Sequence, residues 1–249
     1  MKKIYIDCSM GASGDMLMSA LSELLDDPLC FIDKMNSSGL DRVAFRRSSV
    51  TSSGVTGAHI SVIVDGIQEE QGFVGAPSNE RVSMNDIERT VSGLALTESV
   101  RTRTFDIYKL LAEAESFVHK TPVTQVHFTR LGRIDAIADI AGVCTLFEML
   151  SPDRTVSSPV EVGYGEIRWR NGTVMPVPSP AVKYLLRDIP YTSGALRAEL
   201  CTPTGAALLR YFSDSFEAIK DDAAVRKGYG FGSKVLCEND YVKVLEYHQ

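Results

Sequence analysis

No two of the five cysteines stand in a CxxC pair; Cys8, Cys30, Cys144, Cys201 and Cys237 are odd in number and widely spaced. This argues against a disulfide framework and against a thiolate zinc site, and for buried or reduced thiols. Cys8, beside a Gly-rich turn, is the one to test for reactivity. Lys and Arg form no cluster, and a formal net charge of -6 gives no general attraction to phosphate backbones or anionic membranes. No apolar run approaches the roughly 20 residues of a membrane span, and the first residues lack the apolar segment of about 7 to 15 residues that a signal peptide needs. The expectation is a cytoplasmic protein without nucleic-acid or membrane partners. A P-loop, a GxGxxG fingerprint and a nucleophile elbow are all missing, as are internal repeats and low-complexity tracts.

What is present is 249 residues, 44% hydrophobic and 23% charged, enough to bury a sizeable core. Lys3 to Asp7 alternates as a strand, and Met16 to Leu25 carries apolar groups at helical spacing, so a strand feeds a helix through CSMGASGD. Val43 to Val50 and Ala58 to Val64 read as a hairpin turning over Thr51 to Gly57, and Asp65 to Ser83 loses periodicity and reads as a mobile loop. Ser83 and Asp86 form a cap signature ahead of a helix from Met84 to Leu94. Thr102 to His119 is helical, with Phe105, Tyr108, Leu111, Ala112 and Val118 on one stripe that only Glu115 breaks. Thr124 to Phe128 reads as a strand and Ile134 to Leu150 as an apolar helix. Glu161 to Trp169 and Gly172 to Pro176 suggest a strand pair turning at Asn171-Gly172. Pro180 and Pro203 each sit at the first turn of a helix, the second capped by Thr202. A Gly-rich GYGFGSK and a strand from Tyr241 to Tyr247 follow. The expected fold is mixed α/β, a central sheet flanked by helices with a helical hairpin inserted at about 83–120, or alternatively α+β.

Three constellations could carry chemistry. In the opening loop, amides around Gly11, Ser13 and Gly14 at a helix start suit an anion, while Asp7 and Asp15 would repel a bare phosphate unless a divalent cation accompanies it. A tight turn with Asp15 as helix cap is the competing reading. In QVHFTRLGRIDAIADIAG, His127 precedes Asp135 and Asp139, which share a helix face, and imidazole with carboxylates suits a transition metal. A hydrogen-bonded core histidine, with Arg130 and Arg133 pairing the aspartates, would explain the same residues. In CTPTGAALL, Thr202, Thr204 and Gly205 could bind phosphate at a helix start, or simply begin a helix. His59, His119 and His248 stand singly and receive no role.

The motifs DCSMGASGDM, LLAEAESFVH, VHFxxxGxIDAIADIAG, PVPSPA and ELCTPTGAALL, in this order from residue 3 to about Ser233, resemble the LarC family, which inserts nickel into the pincer nucleotide cofactor of lactate racemase and related enzymes. The resemblance implies a nickel-insertion enzyme of the lyase class that uses CTP, with Mg or Mn, to activate a pyridinium-3,5-bisthiocarboxylate mononucleotide by attaching CMP. Nickel–carbon and nickel–sulfur bonds then form and CMP leaves. It further implies that residues 1–249 form one domain matching the family's N-terminal part, without its CTP-binding C-terminal domain. A separately encoded C-terminal chain would then be a partner, and a homo-oligomer is compatible with the pattern. On this basis Asp7 and Asp15 are expected to be catalytic. Gly11, Ser13, Gly14, Thr202, Thr204 and Gly205 are expected to bind nucleotide, and His127, Asp135 and Asp139 metal.

The sequence departs from the family pattern where HFHEVG becomes HFTRLG, placing Thr129 and Arg130 at its second His and its Glu, where Asn171 replaces the His of an HG pair, and where NERVS replaces HRHL. Arg in place of Glu reverses a charge worth roughly 4 kcal/mol at about 4 Å from a cation. That weighs against tight nickel binding at the usual position. The alternative function is therefore a non-catalytic paralogue that binds nucleotide or acts as a scaffold, and a third is a magnesium- or manganese-dependent phosphate-ester enzyme.

Overall fold

The computed structural model describes residues 1–68, 81–129, 134–168, 172, 174–194, 196–218, 223–233 and 236–248. In chain order the elements are β1 (Lys2–Asp7), α1 (Gly14–Ser22), α2 (Pro28–Asn36), β2 (Val43–Ser52), β3 (Val55–Val64), β4 (Ile67–Gln68) and β5 (Val82–Ser83). Next come α3 (Met84–Ser92), α4 (Glu98–His119), a 3₁₀ turn (Val123–Gln125), β6 (His127–Phe128), α5 (Ile134–Leu150), β7 (Arg154–Ser157), β8 (Val160–Glu161), β9 (Gly165–Arg168) and β10 (Val174–Val177). The chain ends with α6 (Pro180–Leu185), β11 (Tyr191–Thr192), α7 (Pro203–Phe212), β12 (Ser215–Phe216), β13 (Arg226–Phe231) and β14 (Tyr241–His248).

The architecture is mixed α/β. One mixed sheet runs in the order β12-β7-β1-β14-β13-β3-β2, with β4 added to β3. β1 is parallel to β7 and antiparallel to β14, so the chain's first and last described strands lie side by side at its centre. Side chains alternate across the sheet. Ile4 and Ile6 of β1 therefore enter the main core with Leu17 and Leu21 of α1, while Tyr5 joins Val156, Leu245 and Tyr247 in a small cluster on the opposite face. Each fully buried Leu or Ile contributes about 1.5–3 kcal/mol, and the helix-side cluster is far the larger.

Local chemistry accounts for the elements. Ser83 and Asp86 form a full capping box on α3. Thr97 caps α4 through the Val100 amide, and Lys120 ends it in a left-handed conformation with φ of 53°. α5 keeps the expected bounds and is buried on nearly every side, against α1, α4 and α7. The β2–β3 hairpin is tighter than the sequence suggests: both strands continue to a two-residue turn at Ser53-Gly54, whose φ values of 49° and 80° match the twist of the flanking strands. Thr124 to Phe128 is a 3₁₀ turn and a two-residue strand rather than one continuous strand. GYGFGSK also resolves differently: its first four residues complete β13, because α1 crosses so closely that a Cβ on Gly230 would overlap the Met16 carbonyl. Most of the expected mobile loop, 69–80, lies outside the described residues.

Candidate functional site

Four helix ends meet at one cleft of about 980 Å³. The carboxyl end of α4 brings Glu115, Val118 and His119, and β6 and the residues around it bring His127, Phe128 and Thr129. The amino end of α5 brings Asp135, Ala136 and Asp139, that of α6 Ser179 and Pro180, and that of α7 Thr202, Pro203 and Thr204. Val174 to Pro176, Arg81 and Glu199 complete most of the rest of its lining. Two of the three expected constellations, separate in sequence, therefore share one cavity.

The amino ends are set by their caps. Thr202 accepts from the Gly205 amide at 3.1 Å and lies 2.9 Å from the Thr204 hydroxyl, so two hydroxyl oxygens crown α7. Ser179 caps α6 by accepting from the Val182 amide at 3.3 Å. Asp135 folds back to accept from the Ala136 amide at 2.9 Å. Behind the cleft, Tyr108 is fully buried and stacks edge-on to Phe128 with ring centroids 5.7 Å apart. Burial, and then the carboxylates of Asp135 and Asp139, push its phenol well above the ordinary range.

The opening loop supports this cleft from behind; Asp7, Gly11, Ser13, Gly14, Asp15 and Gly205 lie outside its lining. The Gly11 amide donates to Cys8 O at 2.9 Å, with φ of +88°, and the Ala12 amide donates to Leu200 O at 3.0 Å. The Thr202 amide in turn donates to Ala12 O at 3.0 Å, so the loop is stitched to the segment that starts α7. Gly205 packs on Ala12, and Gly14 lies against the Asp139 carboxylate at the start of α1. A carboxylate there meets the positive end of a helix. Asp7 accepts from the Ser9 amide at 3.1 Å and pairs with Lys243 at 3.2 Å. Asp15 accepts from the Ser13 hydroxyl and the Met16 amide on one oxygen, and from the Ser233 amide and hydroxyl at 2.7 and 2.9 Å on the other. It ties the opening loop to the segment after β13.

Glu115, His119 and Glu199 are among the cleft residues that received no role from the sequence. Glu115 and His119 sit one helical turn apart with Oε2 and Nε2 separated by 3.2 Å, and Glu199 precedes α7. The signal was the single charged break that Glu115 makes in the apolar stripe of α4. Burial raises its carboxyl, and His119 partly reverses the effect. Cys8 is fully buried, and burial, then Cys201 and Asp7, push its thiol well above the ordinary range, which removes it as a reactive thiolate. Thr129 lines the cleft, whereas Arg130, Arg133 and Asn171 lie outside the described residues. Among the described residues no three His, Cys, Asp or Glu side chains form a group able to hold a metal ion, and no helix is long and apolar enough to cross a membrane.

Chemically, the cleft brings helix amino ends, whose dipoles favour anions, together with carboxylates and imidazoles, whose chemistry favours cations. One protein family, described as nickel insertion protein, matches residues 4–247. A putative nickel insertion protein of Dictyoglomus thermophilum is 31% identical over 94% of this chain and 58% of its own length. Proteins called pyridinium-3,5-bisthiocarboxylic acid mononucleotide nickel insertion protein are 31% identical in Clostridium kluyveri, over 95% of this chain and 59% of the relative, and 34% identical in Akkermansia muciniphila, over 94% and 57%. The chain thus spans less than three-fifths of the length of these relatives. No solved structure matches it.

Proposed function

The chain belongs to the nickel insertion protein family, and from that premise we propose that it serves nickel insertion into a pyridinium-3,5-bisthiocarboxylic acid mononucleotide, the compound in its relatives' names. Nickel is the cargo of that reaction and the mononucleotide its acceptor. The observation that carries the reading is the union, in one cleft, of the α5 and α7 amino ends with Asp135, Asp139, Glu199, His119 and His127.

A helix amino end favours an anion by about 0.3–1 kcal/mol, and up to about 2 kcal/mol when partly buried. In this reading the mononucleotide phosphate lies at the start of α7, with the Thr202 and Thr204 hydroxyls beside it. Left alone, the carboxylates of Asp135, Asp139 and Glu199 would repel that phosphate; a divalent cation between them converts the repulsion to attraction. Asp7 and Asp15 act indirectly, by holding the loop that backs Asp139. CTP activation with Mg or Mn, and a separately encoded C-terminal chain to bind CTP, are the finer part of the proposal and rest on the motif resemblance.

The test is to incubate the chain with nickel salt, the mononucleotide, Mg²⁺ and CTP, with and without a C-terminal partner, and to weigh the nucleotide by mass spectrometry. Nickelated product in either mixture supports the reading; none in both refutes it. One observation favours a second reading, a nucleotide-binding or scaffold protein without insertion: no three ligating side chains converge among the described residues. That reading expects no stabilisation by nickel, whereas a ligand at about 100 times its dissociation constant stabilises by about 2.7 kcal/mol.

A further inference from the structure

We propose that Glu115 and His119, on the last turn of α4, form a two-point loading site at which nickel enters the cleft, a role that deepens and rests on the function proposed above. The two lie at i and i+4, the spacing that points two ligands from one helix face at a single ion. Their donor atoms, Glu115 Oε2 and His119 Nε2, are 3.2 Å apart. Such donors subtend about 100° at an ion roughly 2.1 Å from each, close to two adjacent corners of a coordination shell. An imidazole donor suits nickel as it suits zinc, copper and iron, and the carboxylate adds the opposite charge.

The surroundings favour a cation at this wall. The carboxyl end of α4 presents the negative end of its helix dipole to the cleft, whereas α5 and α7 present their amino ends to it. The dipoles therefore favour a metal at the end of α4 and a phosphate at the start of α7. The Glu115 side chain is 22% exposed and that of His119 66% exposed, so the pair combines a fixed inner ligand with one that reaches solvent. Two protein donors fill only two corners of a four- to six-coordinate shell, so an ion held by this pair keeps open positions. Those positions are what the sulfur atoms of an acceptor need in order to take the ion over.

The experiment titrates nickel chloride alone into the full chain by competition with a chromophoric chelator, for wild type, Glu115→Gln and His119→Gln. Even the loss of a residue that only supports a ligand costs about 10–100-fold in metal affinity, so loss of a ligand weakens binding by about tenfold or more. Wild type is expected to bind one nickel per chain and both variants to bind at least tenfold more weakly, with cobalt(II) visible bands in wild type that change in His119→Gln. Equal affinity in all three proteins, or no nickel binding by wild type, overturns the site. His119 is exposed enough that its substitution leaves folding intact if Glu115→Gln does not fold. Nickel transfer run in parallel separates the two ideas: transfer undiminished in both variants removes the loading site and leaves the function, while pair-dependent binding without any transfer removes the function and leaves the site.

Discussion

Gly14 rests on Asp139: a Cβ at position 14 would fall 2.9 Å from both Cβ and Oδ2 of that aspartate. Two motifs 125 residues apart thus meet where α1 begins and α5 lines the cleft. Overpacking a fitted contact costs about 1–3 kcal/mol, and the helix-propensity gain of alanine over glycine, at most about 1 kcal/mol, offsets only part of it. Gly14→Ala is expected to lower the urea midpoint by an amount equivalent to about 1–2 kcal/mol. A neutral or stabilising result would mean that Asp139 swings aside freely.

Asp240 gives a pH signature. It is 6% exposed and accepts from the Leu236 amide at 2.8 Å. Burial pushes its carboxyl up, the Leu236 amide pulls it partly back, and nearby Asp15 pushes it up again. A carboxyl raised by folding favours the protonated form, so its stabilising contribution is present below the unfolded value near 3.9 and is lost as pH rises through the folded value. Asp240→Asn keeps an acceptor for Leu236 without the charge. Its unfolding midpoint should exceed that of wild type at pH 7, with the advantage shrinking below about pH 4. A lower midpoint at pH 7 would show that the charge itself stabilises the loop.

The thiols report on the same region. Cys8, Cys144 and Cys201 are fully buried while Cys30 is exposed. Burial pushes Cys144 and Cys201 up to about 12. Maleimide labelling of the native protein should mark Cys30 first and reach these three only in denaturant. Cys8 reacting as fast as Cys30 would contradict the packing of the opening loop.

What the sequence revealed follows the range of the interactions involved. Capping and periodicity are local, so the ends of α5, the Ser83–Asp86 box and the Thr202–Pro203 start of α7 were readable. α2 was passed over although Asp27 and Pro28 begin it. β13 was hidden because Gly228 and Gly230 answer to a helix crossing from the other end of the chain, not to strand propensity. β7, four residues between β1 and the edge strand β12, is too short to alternate. At the site, spacing named His127, Asp135, Asp139, Thr202 and Thr204, but only the fold brings them to one cleft and leaves Asp7 and Asp15 behind it. Glu115 was visible merely as a flaw in an apolar stripe, and His119 as a single histidine at a helix end.

Anomalous diffraction at the nickel edge, from crystals soaked with nickel and the mononucleotide, tests the cleft as the place of nickel insertion most directly. A nickel peak is expected inside the cleft, within bonding distance of Glu115 Oε2 and His119 Nε2 or between that pair and Asp139, with the nucleotide phosphate at the start of α7. Nickel bound outside the cleft, or a phosphate seated away from Thr202 and Thr204, would contradict it.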